Sequence, residues 1–161
     1  MAKTSAGILL YRRRDHALEV LLVHPGGPFF KGKDAGAWSI PKGEYLSGED
    51  PLAAALREFQ EEIGCGPGRA EPRALGEVKQ ASGKIVKAWA IEGDCDAEAI
   101  CSNLFSIEWP PRSGRLQQFP EVDRAAWFTL SEAVGRVNPA QQEFLHRLTA
   151  IAAGQTPSGG D

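Results

Sequence analysis

The chain has 161 residues, of which 42% are hydrophobic and 24% charged, with a formal net charge of −3. That length suits one domain with a real core. Without a basic excess, duplex nucleic acid is not expected as a main partner, and no apolar run approaches the roughly 20 residues of a membrane span.

The chain order reads as alternating strand and helix signals. SAGILLY, residues 5–11, predicts a buried strand, and LEVLLVH, residues 18–24, its hairpin partner across Asp15–His16. The three arginines after Tyr11 are expected in the turn. The amino-terminal stretch lacks the h-region and small-residue cleavage site of a secretory signal. Residues 25–37 form a Gly- and Pro-rich loop, whose Phe29 or Phe30 is a candidate lid over a ligand. Trp38–Gly43, reading WSIPKG, ends in a Pro-Lys-Gly turn.

A helix is expected next, with Asp50 as N-cap, Pro51 at its first position and Gly64 as its stop. Strands are predicted near 71–78 and 85–91, across a turn at Ala81–Gly83, and over 104–109. Residues 110–120 read as a loop carrying Arg112 and Arg115. A last strand is predicted over 124–130, Ser131 as the cap of a short helix, and a longer helix from Pro139 to about Ala153. Trp89, Trp109, Trp127 and Phe128 fall within or beside predicted strands and read as core. The domain is expected to end at residue 153, with 154–161 a disordered tail. A mixed α/β sheet between helices is the natural assembly.

Cys65, Cys95 and Cys101 make neither an even disulfide set nor a C-x-x-C motif. Reduced thiols and a cytoplasmic location are expected. His16, His24 and His146 lack ligand spacing to one another. His24, beside the Gly-Pro loop, reads as a strand-end histidine.

The densest signal is Gly43–Cys65, GEYLSGEDPLAAALREFQEEIGC. At about 100° per residue, Leu52, Leu56, Phe59 and Ile63 share one face of the helix. Glu58, Glu61 and Glu62 share a roughly opposite face, expected to point outward. Alone, such glutamates are an ordinary solvated surface. Yet Glu58 and Glu62 repel at i,i+4, and a divalent cation reverses the sign of that interaction. Carboxylate oxygens suit a hard ion such as Mg²⁺ or Mn²⁺. Lys42 offers a point charge for a phosphate, or is an exposed turn lysine.

The pattern G-x5-E-x7-R-E-x-x-E-E-x-G resembles the Nudix box of hydrolases that cut diphosphate linkages (MutT-like proteins). Its seven fixed positions have a chance probability on the order of 1 in 10⁸ per start position, so coincidence is set aside. Phe59 and Cys65 stand where an aliphatic residue is usual, which touches packing rather than chemistry.

The resemblance implies an α/β/α sandwich. It implies metal ligation by Glu58, Glu61 and Glu62, an Arg57–Glu49 pair orienting Glu58, and a further carboxylate at Glu121, with Asp123 as its rival. Glu58 or Glu121 would be the base. Lys42, Gly43 and Trp38, with Arg112 and Arg115 on outer phosphates, are the candidate substrate contacts. The phrase WSIPKGE is similar to members acting on dinucleoside polyphosphates or diphosphoinositol phosphates. A dinucleoside polyphosphate such as diadenosine tetraphosphate is the leading expectation. Nucleoside triphosphates (including oxidised ones), ADP-ribose or nucleotide sugars are the alternatives. A non-catalytic nucleotide sensor and an acidic protein-interaction module are the rival classes. The resemblance also implies a monomer or homodimer.

Overall fold

The computed structural model describes residues 3–153. Strands β1 (Thr4–Arg14), β2 (Ala17–Pro25) and β3 (Lys42–Glu44) precede helix α1 (Pro51–Ile63). Then come β4 (Arg73–Lys79), β5 (Ile85–Glu92), β6 (Leu104–Glu108), β7 (Leu116–Pro120) and β8 (Val122–Thr129). Helices α2 (Leu130–Arg136) and α3 (Gln142–Ala152) follow. The main sheet has the order β4-β5-β1-β2-β8, with β3 also on β1. The β1–β5 pairing is parallel and the others antiparallel, so the sheet is mixed, as expected.

Alternation along β1 builds both faces of the core. Ala6, Ile8 and Leu10 pack with Ala54, Ala55, Phe59 and Ile63 of α1. Leu9 and Tyr11 pack with Phe144, Leu145 and Leu148 of α3 on the other side. Side chains of successive strand residues point to opposite faces, so a strand covered on both sides reads as a continuous apolar run. The layers are α1, sheet, then α2 with α3, the α/β/α arrangement expected from the sequence.

Four expectations need correction. Arg12, Arg13 and Arg14 lie within β1, paired with Glu19, Leu18 and Ala17. The turn itself needs only Asp15 and His16, whose φ values of 52° and 66° give the left-handed pair of a tight hairpin. Residues 110–120 are not all loop, because Leu116–Pro120 pairs with Leu104–Glu108 in a separate two-stranded sheet. This hairpin carries Trp109 at its far end, away from the main core. Ser131 lies inside α2, whose N-cap is Thr129 in a capping box with Glu132. Finally, Pro139 opens a 3₁₀ turn over Pro139–Gln141, and α3 proper starts at Gln142. The 154–161 tail lies outside the described residues. No described helix is long and apolar enough to cross a membrane.

Candidate active site

β1 divides its edge between two partners. Its start, Ser5–Gly7, pairs with β3, and its end, Tyr11–Arg14, pairs with β2. The segment before β3 is stitched between them. Ile8 N–H donates to Pro41 O (3.1 Å), and Val23 exchanges hydrogen bonds with Ser39. Gln141, buried at 1% exposure, accepts from Ile40 N–H and donates to Ser39 Oγ, each at 3.0 Å. Lys42 and Gly43 are thereby fixed above α1. Gly7 makes the approach possible: a β-carbon there would lie 2.7 Å from Lys42 Cβ.

Helix α1 is set by its ends. Asp50 accepts from Ala53 N–H (2.9 Å), Pro51 occupies the first turn, and Gly64 is left-handed at φ 93°. These caps place Arg57, Glu58, Glu61 and Glu62 on the two turns under β3. The acidic stripe does not simply face out, as the helical period alone predicts. Glu58 and Glu62 are half-covered, with Glu62 Oε1 accepting from Lys42 N–H at 3.3 Å. The reason is tertiary: β3 crosses this face of the helix.

Arg57 is the hub. It pairs with Glu49, donates to Glu58 Oε2 (3.2 Å) and approaches Glu61 Oε2 (3.8 Å). Glu49 also accepts from Leu46 N–H (3.3 Å), which ties the loop before α1 to the hub. Burial pushes the Glu62 carboxyl up to about 8, against the opposing pull of Lys42. Burial also raises Glu58 and Glu121, with Glu61 adding to both. Lys42 is lowered by burial and by Lys84, which Glu62, Glu44 and Glu58 partly offset. The site therefore holds more carboxylate than its cations neutralise.

Glu121 comes from the β7–β8 junction; its charge is felt at Glu58 and Glu62, and that of Glu61 is felt at Glu121. Its approach to α1 is made by backbone hydrogen bonds. Asn103 N–H donates to Glu61 O (3.1 Å), and Glu121 N–H donates to Asn103 O (2.8 Å). Asn103 is thus a backbone staple between α1 and Glu121, a role that no spacing announces.

The other candidates disperse. Trp38 is 3% exposed, edge-on to His24 and Phe128, with Nε1 donating to Asp34. His24 is buried, with Nδ1 2.9 Å from Asp123 and Nε2 2.6 Å from Lys33 O. It pins the Gly-rich loop to β8, and Asp123 is engaged there. Arg112 and Arg115 lie at the far end of the β6–β7 hairpin, exposed. At about 3.3 Å per residue, Arg115 is on the order of 20 Å along the strand from Glu121.

The donor set is oxygen only, which fits a hard divalent cation. Gly43 leaves open the space that Glu58 fills, since a β-carbon there would lie 2.8 Å from Glu58 Cγ. Among the described residues, no three His, Cys, Asp or Glu side chains form a ready metal cage. Glu58 and Glu61 lean on Arg57, and Glu62 on Lys42.

The family model described as NUDIX domain matches residues 1–148. An RNA pyrophosphohydrolase of Roseobacter denitrificans is 45% identical over 56 residues, 32% of this chain. The match spans about a third, 35%, of that relative's length. A binary complex of the Caenorhabditis elegans Ap4A hydrolase superposes with a TM-score of 0.67 at 22% identity, over 93% of this chain and 98% of that one. The NUDIX domain of Shewanella oneidensis NrtR, complexed with ADP ribose, gives 0.59 at 16% identity, over 94% and 89%. At these identities the two structures establish a common fold.

Proposed function

Because this chain belongs to the NUDIX domain family, we propose that it hydrolyses a diphosphate linkage in a nucleoside diphosphate derivative. A dinucleoside polyphosphate such as diadenosine tetraphosphate is the preferred substrate. One observation carries the reading: Arg57 gathers Glu49, Glu58 and Glu61 beside Glu62 and Glu121, an uncompensated carboxylate cluster under a Pro-Lys-Gly turn. The fold shared with the Ap4A hydrolase, and the local match to an RNA pyrophosphohydrolase, are in keeping with phosphoric anhydrides as substrates.

Hydrolases of this family generally use divalent metal ions. Here Glu58, Glu61 and Glu62 would hold Mg²⁺, with Mn²⁺ as a substitute. When bound, such an ion neutralises phosphate oxygens and acidifies water. The chain's own residues do the rest. Arg57 and Glu49 orient Glu58. Glu58 or Glu121, each raised from its ordinary value by burial, accepts the proton of the attacking water. Lys42 takes up charge on the leaving phosphate. Arg112 and Arg115 meet only the distal part of a long substrate.

The test is a Mg²⁺-dependent hydrolysis screen with mass-spectrometric product identification. Its panel holds diadenosine tetraphosphate, ADP-ribose, canonical and oxidised nucleoside triphosphates, and a diphosphoinositol phosphate. Release of ATP and AMP from diadenosine tetraphosphate supports the proposal in full. Preference for another compound keeps the chemistry and changes the substrate. No turnover with Mg²⁺ or Mn²⁺ sinks the enzyme reading and favours a nucleotide sensor.

A further inference from the structure

The Gly-rich loop and the β6–β7 hairpin enclose a groove of about 520 Å³ that reaches Pro120 and Asp123, on either side of Glu121 in the sequence. Its walls include Lys31, Trp109, Gln117, Phe119, Pro120 and Asp123. This size lies within the usual range of small-molecule sites, which combine apolar walls with a few convergent polar groups. The phosphate chemistry uses none of these side chains.

The aromatic wall is braced. Phe29 packs edge-on against Trp109, with ring centroids 5.4 Å apart and planes at 80°. Phe119 stands beside Phe105 at 6.0 Å. Gly27, at φ 95°, leaves no room for a side chain, because a β-carbon would lie 2.8 Å from the Phe105 ring. Loop and hairpin therefore meet as one surface. Phe29 nevertheless stays 56% exposed.

The polar groups have unused capacity. Gln117 Nε2 donates to Trp109 O (3.0 Å), which turns its amide and leaves Oε1 as an acceptor. Asp123 engages His24 through Oδ1, leaving Oδ2 as a second acceptor. Lys31 supplies a donor. Planar walls with edge acceptors and a donor match a heteroaromatic ring that carries both N–H groups and ring nitrogens. The location fits as well. Pro120 lines the groove and is followed directly by Glu121 of the carboxylate cluster.

We propose that this groove is a nucleobase subsite, in which Trp109 and Phe119 take the ring face and Gln117, Lys31 and Asp123 its edge. The proposal rests on the nucleotide-hydrolase reading and adds the part of the substrate that the groove grips.

Isothermal titration with AMP tests it on the wild-type chain, Trp109→Ala and Trp109→Phe, each first checked for native circular dichroism. Wild type is expected to bind AMP, Trp109→Ala to weaken binding about tenfold or more, and Trp109→Phe to stay within about threefold, as loss of a base–aromatic stack dictates. In turnover assays, Trp109→Ala is expected to raise KM for a nucleotide substrate by about tenfold or more, in step with the lost base stack. AMP bound equally well by Trp109→Ala, or not bound by wild type, overturns the subsite. The hydrolase reading is judged separately by turnover in the substrate screen, so the two fail in distinguishable ways.

Discussion

Gly43 on β3 and Glu58 on α1 occupy complementary space. A β-carbon at residue 43 would sit 2.8 Å from Glu58 Cγ and closer still to its carboxylate. Gly43 is not at positive φ, so this glycine is required by proximity and not by backbone conformation. The strand passes directly over the carboxylate that Arg57 orients.

Gly43→Ala is therefore expected to push the Glu58 side chain aside while sparing the fold. Glu58 can rotate at modest energetic cost, but its carboxylate leaves its place. Displacement of about 1 Å at a catalytic group can cost about 100-fold in rate. The check is kcat beside the thermal midpoint. A variant that melts near wild type and turns over at the wild-type rate removes Glu58 from the machinery.

Arg57 makes three carboxylate contacts with one planar fork. Lysine keeps the charge but not the fork, so Arg57→Lys is not conservative here. Supporting residues of this kind typically contribute about 10- to 100-fold. Arg57→Lys and Glu49→Gln should both lower kcat within that range. Because they act through the same orientation, the double variant should lose little more than either single one. Additive losses in a double-mutant cycle would show two independent roles.

Much of α1 was legible because its signals are local: Asp50, Pro51 and Gly64 mark its ends within the chain itself. The flanking hairpin was legible for the same reason, from Asp15–His16. What covers the acidic face was not. Periodicity says that Glu58, Glu61 and Glu62 share a side, but only tertiary structure brings β3 over it and Glu121 up to it. The β3 strand, Lys42–Glu44, is too short to show alternation, and LQQFP in β7 has none. Gln141 reaches Ile40 from 101 residues away, through a hydrogen bond that no spacing rule encodes.

Cys95 should be the slow thiol. Burial, then neighbouring Cys65 and Asp94, push it from the ordinary 9.0 up to about 11. Cys65 and Cys101 are exposed. The fold favours the neutral Cys95 thiol, so the stability this contributes is fully present below pH 9 and is lost as pH rises through about 11. At pH 8 a two-unit rise leaves about 100-fold less thiolate. Stoichiometric labelling with a thiol reagent at pH 8 is expected to give two fast equivalents and one slow one, with the third released by denaturant. Three equal rates would contradict the burial of Cys95.

Phe59 offers the opposite kind of test, on the scaffold alone. It is fully buried between Glu58 and Gln60 on α1, packed with Ile8, Leu21 and Val23 of the sheet. Truncation of a buried Phe to Ala leaves a cavity and costs about 3–5 kcal/mol. That is a large share of the roughly 5–15 kcal/mol that stabilises an ordinary domain. Phe59→Ala should lower the urea midpoint sharply. Below that transition, the folded fraction should still turn over substrate, because Phe59 faces away from the carboxylates. Loss of kcat in fully folded Phe59→Ala would mean that α1 moves as its anchor is removed, and that the site depends on core packing as directly as it does on Arg57.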